Sequence, residues 1–239
     1  MATARPRGTV VSPAANVAVQ YGFFNGGQTC ISIERVYVEE PVYDRFVQLV
    51  TEKAKAMRTG YGAAGSADVG SLTFPPQLDI VQHPIDDAKA KGARVIVGGS
   101  KINEGHGYWF EPTILVDVTH DMECMTEETF GPTLPIMKVA DVEEAIRLAN
   151  DSRYGLNANV WTRDRRKGER LAKAVQSGSV VVNDCMLTYG ATESPFGGVK
   201  DSGIGQVNGE AGLRAFSHAQ SIIIDRFGAK TEFLWYPYS

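Results

Sequence analysis

The sequence of 239 residues has no long apolar run, no excess of basic residues and no segment typical of a secretory leader. Because no run is long enough to cross a bilayer, the sequence predicts no membrane partner. Residues 1–8 contain two arginines but no apolar stretch after them, so they do not match a signal peptide. A formal net charge of −4 gives no electrostatic reason to expect nucleic acid as a partner. We therefore expect a cytoplasmic protein.

Cysteine and histidine are both scarce. The chain has three cysteines, Cys30, Cys124 and Cys185, and none of them lies in a Cys-x-x-Cys pair. An odd and sparse count argues against a disulfide framework and fits a reducing compartment. The four histidines are scattered without metal-ligand spacing, so the sequence predicts no metal site. Scattered histidines also weaken the hypothesis of a hydrolase with a cysteine and histidine pair.

Strands and helices are predicted to alternate along the chain. Apolar periodicity predicts helices at 16–24, 41–58 and 76–91, and two more after the N-cap residues Asp141 and Asp164. Pro84 lies inside the third of these helices and is expected to kink or break it. The predicted strands are at 33–38, 94–97, 110–118, 134–139, 158–161, 179–182 and 221–225. This order is typical of an α/β fold, in which a mostly parallel twisted sheet carries helices on both faces.

Three segments have unusual composition. Residues 24–30 (FNGGQTC) place a cysteine after two adjacent glycines, where the backbone can approach a ligand closely. Residues 126–132 (TEETFGP) put two carboxylates beside a phenylalanine and a turn. Residues 194–205 (SPFGGVKDSGIG) form a glycine-rich loop that matches neither a phosphate-binding loop nor a dinucleotide fingerprint. Each segment alone also has a structural explanation. The cysteine can be a small buried side chain, the acidic segment a solvated turn, and the glycine-rich segment a structural connection.

Together and in this order, the three segments resemble the aldehyde dehydrogenase superfamily. Residues 23–30 match its active-site cysteine motif, 127–132 its EEIFGP-type motif, and 194–205 its PFGG-x-K-x-SG-x-G loop. Further stretches fit in family order, at 69–72, 92–99, 108–114 and 154–162. The resemblance covers nearly all of residues 14–239. The residues that follow Cys30 (CISIERVYVEE) are similar to the succinate-semialdehyde dehydrogenase-like branch.

The resemblance implies a chemistry and a set of residues for it. Cys30 is the implied nucleophile: it attacks an aldehyde, a hydride passes to NAD or NADP, and water hydrolyses the remaining thioester. The backbone N–H of Cys30 would help to hold the oxyanion. Glu128 matches the residue that binds the nicotinamide ribose, and Phe130 the residue that packs beside the nicotinamide. Positions near the aldehyde tunnel are matched by Phe24, Thr29, Ile31 and Phe196.

The implied domain organisation is partial. Residues 1–13 have no recognisable counterpart and are expected to be a leader, and 14–218 match the catalytic domain. Residues 219–239 match an oligomerisation strand and tail, whose strand at 221–225 pairs with another subunit. The N-terminal cofactor-binding domain of the family, with its general-base glutamate and an oxyanion-hole asparagine, has no counterpart here. We therefore expect exposed apolar surface, and association with a second copy or with another aldehyde dehydrogenase chain.

The sequence leaves three hypotheses for the chain itself. It is a catalytic domain that depends on a separate cofactor-binding half, a non-catalytic assembly subunit or remnant, or a residual thiol esterase. Loss of an oxyanion donor lowers rates by about 10²–10³, and loss of a general base by about 10²–10⁴. The expected NAD(P)-dependent activity of this chain alone is therefore little or none. All three hypotheses place Cys30 near the Glu128–Phe130 turn and the loop around Phe196.

Overall fold

A computed structural model describes residues 10–61, 66–102, 107–226, 228 and 236. The strands in this part of the chain are β1 (Val36–Glu39), β2 (Arg94–Val97), β3 (Lys101–Ile102), β4 (Trp109–Phe110), β5 (Thr113–Val116), β6 (Thr133–Val139), β7 (Asn157–Val160) and β8 (Ser179–Val182). The helices are α1 (Val11–Phe23), α2 (Glu40–Lys55), α3 (Gln77–Ala90), α4 (Glu123–Thr126), α5 (Val142–Asn150), α6 (Arg165–Ala174), α7 (Leu187–Gly190) and α8 (Gly209–Arg214). Two short 3₁₀ turns lie at Phe24–Gly27 and Lys200–Ser202.

The main sheet has four strands in the order β1-β6-β5-β2. Strands β1, β6 and β5 are parallel, and β2 pairs antiparallel with β5 at one edge. Strands β7 and β8 form a separate parallel pair, while β3 and β4 form a short antiparallel pair. The predicted α/β fold with a mostly parallel sheet is confirmed, and the parallel pairing is divided between two sheets.

Two apolar layers cover the main sheet, one on each face. Val36 and Val38 of β1 belong to the layer that contains α1 and α2, whereas Tyr37 between them belongs to the layer of α3 and α5. Alternation of this kind follows from the two-residue period of a strand, which points successive side chains to opposite faces. The predicted arrangement with helices on both faces is therefore confirmed.

The helix after Asp141 is confirmed together with its capping residues. Asp141 Oδ1 accepts a hydrogen bond from the Glu144 N–H at 2.8 Å, and Glu144 Oε2 accepts one from the Ala140 N–H at 2.8 Å. Asp164 caps α6 in the same way through the Lys167 N–H. Within the part of the chain that the structure describes, no helix combines the length and apolar composition needed for a bilayer span.

Pro84 was expected to kink or break helix α3, and the break is wrong because the helix runs continuously from Gln77 to Ala90. A proline in a helix loses one backbone hydrogen bond and costs about 3 kcal/mol or more. Here Val81, Ile85 and Ala88 are fully buried on the same helix, and Pro84 is buried with them. Tertiary packing of this face therefore outweighs the local preference of proline.

The two ends of the chain lie partly outside the described residues. Helix α1 begins at Val11, so residues 11–13 of the predicted leader are helical, and residues 1–9 lie outside the described ones. Residues 221–225 form no strand in this single chain, and Ile222, Ile223 and Ile224 are 73%, 91% and 75% exposed. This strand was expected to pair with another subunit, so it stays a prediction. Most of the predicted tail beyond residue 226 lies outside the described residues.

Candidate active site

Cys30 lies at the end of a tight loop that follows α1. Helix α1 stops at Phe23, and the next residues turn with positive φ at Asn25 (54°), Gly26 (68°) and Gly27 (75°). The Asn25 side-chain amide donates to the Gln28 carbonyl at 3.0 Å, which fixes the loop locally. The thiol of Cys30 is exposed rather than enclosed in the core, so a reagent in solvent can reach it.

This loop packs directly against the turn that carries the acidic motif. A Cβ atom on Gly27 would lie 2.0 Å from the Gly131 carbonyl oxygen, so the two backbones approach as closely as glycine allows. Gln28 fixes the other side of the loop, because its Oε1 accepts the Thr73 N–H at 2.8 Å and its Nε2 donates to the Ser71 carbonyl at 3.4 Å. The cysteine motif and the acidic turn are therefore neighbours.

A cleft of about 350 Å³ opens beside Cys30. One wall is the segment 30–35 that leads into β1, and the facing wall is the segment 154–159 that leads into β7. Glu127 and Glu128 of the acidic turn also line it. This volume lies in the range of small-molecule sites, and the mixed polar and apolar lining is typical of them. The cleft therefore joins a thiol and carboxylates in one small-molecule-sized space.

Glu34 is a residue that sequence reasoning missed. Its two carboxylate oxygens accept hydrogen bonds from the backbone N–H groups of Thr129 at 3.2 Å and Phe130 at 3.0 Å. Burial raises the pKa of the Glu34 carboxyl from 4.5 to about 7, against the lowering effect of those two donors. Two adjacent charged residues, Glu34 and Arg35, within the mainly apolar segment ISIERVYV were the available indication in the sequence.

The glycine-rich loop reaches the cleft through Asp201 and Ser202. Ser202 Oγ accepts the Gly155 N–H at 2.9 Å, and the Val199 N–H donates to the Gly155 carbonyl at 2.9 Å. Lys200 Nζ donates to the carbonyls of Asn150 and Ser152 at 2.7 and 2.9 Å, so it satisfies groups at and just beyond the end of α5. The loop is thereby fixed against the wall that faces Cys30.

The predicted site residues divide into two groups. Cys30, Ile31 and Glu128 line the cleft. The others lie outside its lining: Phe24 is exposed beside Tyr21, Thr29 and Phe130 are partly buried, and Phe196 is buried edge-on to Tyr189. The structure thus places three of the predicted residues together, and its glycine loop contributes different residues from the predicted Phe196.

The other two thiols are unsuited to nucleophilic chemistry. Burial raises the pKa of Cys124 to about 12, with the charge of Asp87 adding to the effect, and burial raises that of Cys185 to about 11. Both therefore stay protonated at neutral pH. Among the described residues, no group of three or more His, Cys, Asp or Glu side chains is arranged to hold a metal ion.

The fold and the cleft define an α/β protein with a solvent-accessible candidate cysteine nucleophile. The sequence profile of the aldehyde dehydrogenase family matches residues 10–222. The chain belongs to the aldehyde dehydrogenase family.

Similar proteins and solved structures support this family assignment. A Mycobacterium ulcerans protein provisionally named succinate-semialdehyde dehydrogenase [NADP(+)] 2 is 43% identical over 221 residues, which cover 92% of this chain and 43% of that protein. The crystal structure of succinate-semialdehyde dehydrogenase from Burkholderia pseudomallei matches with a TM-score of 0.81 at 37% identity, covering 86% of this chain and 42% of that one. Betaine aldehyde dehydrogenase from Staphylococcus aureus in complex with NAD+ matches with a TM-score of 0.79 at 31% identity, covering 86% and 41%. The chain therefore spans less than half the length of these relatives.

Proposed function

We propose that the chain is the catalytic half of an NAD(P)-dependent aldehyde dehydrogenase, with Cys30 as nucleophile. The observation that carries this proposal is the exposed Cys30 thiol in one cleft with Glu128. The family membership supports oxidation of an aldehyde to a carboxylic acid, and the names of two relatives favour succinate semialdehyde as the first aldehyde to test.

In the proposed reaction, the Cys30 thiolate forms a carbon–sulfur bond to the aldehyde carbonyl and gives a thiohemiacetal. Loss of a hydride from that carbon leaves a thioester, and water then breaks the carbon–sulfur bond to give the acid and the free thiol. The Cys30 backbone N–H would stabilise the oxyanion in both addition steps.

The residues present fit the nicotinamide end of the cofactor. Glu128 is exposed at the cleft that Cys30 lines, and a carboxylate is a good acceptor for ribose hydroxyls. Phe130 lies two residues further along the same turn, outside the cleft lining, and we propose that its ring packs beside the nicotinamide. NAD or NADP supplies the hydride acceptor when bound. The match spans 43% of the length of the Mycobacterium ulcerans relative, so we propose little or no oxidation by these residues alone.

Association with a further chain is part of the proposal. Ile222, Ile223 and Ile224 are exposed on a segment that has no strand partner within the described chain. Apolar side chains in an unpaired extended segment favour edge pairing with another sheet. We propose a second copy, or a full-length aldehyde dehydrogenase chain, as that partner.

Acylation by an activated ester tests the nucleophile without requiring a cofactor. We expect p-nitrophenyl acetate to acylate Cys30, with mass spectrometry locating the acetyl group on that residue. Cys30→Ser should lower the rate of p-nitrophenolate release at least about 100-fold, because an unactivated hydroxyl is a much weaker nucleophile than a thiolate.

The matched control is Cys124→Ala, which removes a buried thiol of raised pKa and should leave the rate unchanged. Equal rates in the Cys30→Ser variant and the unmodified chain would contradict the proposal. A parallel incubation with succinate semialdehyde and NAD+ or NADP+ should give no measurable reduced cofactor. Turnover at ordinary enzyme rates would overturn the proposal that these residues alone do not oxidise the aldehyde.

A further inference from the structure

We infer that Glu34 is a positioning residue that fixes the backbone of Thr129 and Phe130, and so aims the Glu128 and Phe130 side chains from the turn. This inference rests on the proposed function for its account of what the turn binds. Glu34 itself is not proposed to touch substrate or cofactor. It would act through a turn to which it is linked across 95 residues of sequence.

The first support is the way the carboxylate divides its hydrogen bonds. Glu34 Oε2 accepts the Thr129 N–H and Oε1 accepts the Phe130 N–H, so each oxygen holds one residue of the turn. Two separate acceptors fix the orientation of both peptide groups, as a single bond would not. Hydrogen bonds to an ionised acceptor are also stronger than those between neutral groups.

The second support lies on the opposite side of the turn. Gln77, at the start of α3, donates from Nε2 to the carbonyls of Thr129 at 2.9 Å and Phe130 at 3.1 Å. The side chains of Glu34 and Gln77 therefore hold both the N–H and the C=O groups of the same two residues. Thr129 and Phe130 lie in neither a strand nor a helix. Their backbone groups are therefore hydrogen-bonded by side chains instead of by a neighbouring strand or helical turn.

The third support is the backbone conformation that is being held. Phe130 has a φ of 49°, which is uncommon for a residue with a bulky side chain and persists only when its surroundings impose it. Thr129 beside it is fully buried. Glu34 and Gln77 thus hold an unusual backbone conformation beside the proposed nucleophile. Such an arrangement is expected where a binding side chain must keep one orientation.

Amide hydrogen exchange measured residue by residue tests this role. In Glu34→Leu, which keeps the size of the side chain but removes both acceptors, exchange at Thr129 and Phe130 should be at least about tenfold faster. Exchange along β6 should change less than about twofold. Glu34→Gln keeps one carbonyl acceptor and should restore part of the protection. Glu40→Gln, at the exposed start of α2, should behave like the unmodified chain.

Unchanged exchange at Thr129 and Phe130 in Glu34→Leu would overturn the inference. Equal acceleration along β6 would also overturn it, since Glu34 would then act on overall stability. A nucleotide-binding measurement distinguishes failure of this inference from failure of the proposed function. Nicotinamide mononucleotide should perturb the Phe130 amide resonance of the unmodified chain and of Glu40→Gln, and not that of Glu34→Leu. If the nucleotide perturbs none of these chains, the proposed cofactor role of the turn fails, and the exchange rates still decide the role of Glu34.

Discussion

Replacing Gly27 by alanine is expected to destabilise the folded chain by about 3–5 kcal/mol, among the largest effects of any single substitution. The added Cβ would lie 2.0 Å from the Gly131 oxygen, 2.3 Å from the Gly131 carbonyl carbon and 2.9 Å from the Pro132 nitrogen. All three are backbone atoms, so no side chain can rotate away to make room. Gly27 also has a φ of 75°, a conformation that costs alanine about 1–2 kcal/mol by itself. Equilibrium unfolding in urea measures the difference.

Gly70→Ala is the matched control for this substitution. Gly70 lies next to the segment that Gln28 contacts, but a Cβ there would meet no atom within 4 Å. Its free energy of unfolding should stay within about 0.5 kcal/mol of the unmodified chain. If Gly27→Ala were as stable as Gly70→Ala, the loop of Cys30 and the acidic turn could not be in the contact described above.

The ionisation of Glu34 should lower the stability of the fold by about 3 kcal/mol between acidic and neutral pH. Its pKa is raised from 4.5 to about 7, chiefly by burial. An acid whose pKa is higher in the folded chain than in the unfolded chain binds its proton more tightly when folded. Its contribution to stability is therefore complete below pH 4.5, declines as the pH rises, and is lost above pH 7. Urea unfolding at several pH values from 4.5 to 8 measures this dependence.

The variant Glu34→Gln cannot ionise and should lose this part of the pH dependence. The quantity to compare is the change in unfolding free energy between pH 5 and pH 8, rather than the stability at one pH, because the amide also alters the hydrogen bonds to the turn. Glu40→Gln should retain the full dependence of the unmodified chain, since Glu40 is exposed. Parallel pH profiles for Glu34→Gln and the unmodified chain would refute the assignment.

Much of the fold could be predicted because local patterns and tertiary structure agree. The strand at 179–182 has one serine and three valines after Gly178, and β8 has these bounds. The helix after Asp141 has both a capping pattern and an apolar face, and α5 begins where these features predict. Where local sequence preference and tertiary packing disagree, packing determines the structure, as at Pro84 inside α3.

The site was less accessible to sequence reasoning. Three ordered motifs predicted the neighbourhood of Cys30 and the acidic turn, and Cys30 and Glu128 do line one cleft. The Glu34 contact was missed because it joins residues 95 and 96 positions apart, and no local period encodes such a pair. Phe196 was predicted to lie near the aldehyde tunnel, whereas the residues of its loop that line the cleft are Asp201 and Ser202. Short-range pattern identifies the loop but does not determine which of its side chains turns inward.

Cross-linking of Cys30 to position 128 is the most direct test that the proposed nucleophile and the turn proposed to contact the cofactor share one cleft. The variant Glu128→Cys, treated with dibromobimane as a short bifunctional thiol reagent, should form an intrachain link between residues 30 and 128. Glu40→Cys, which lies outside the cleft, should form none, and the buried Cys124 and Cys185 should stay unmodified. If positions 30 and 128 each react with monobromobimane and yet never link to one another, the shared cleft does not exist and the proposed active site is wrong.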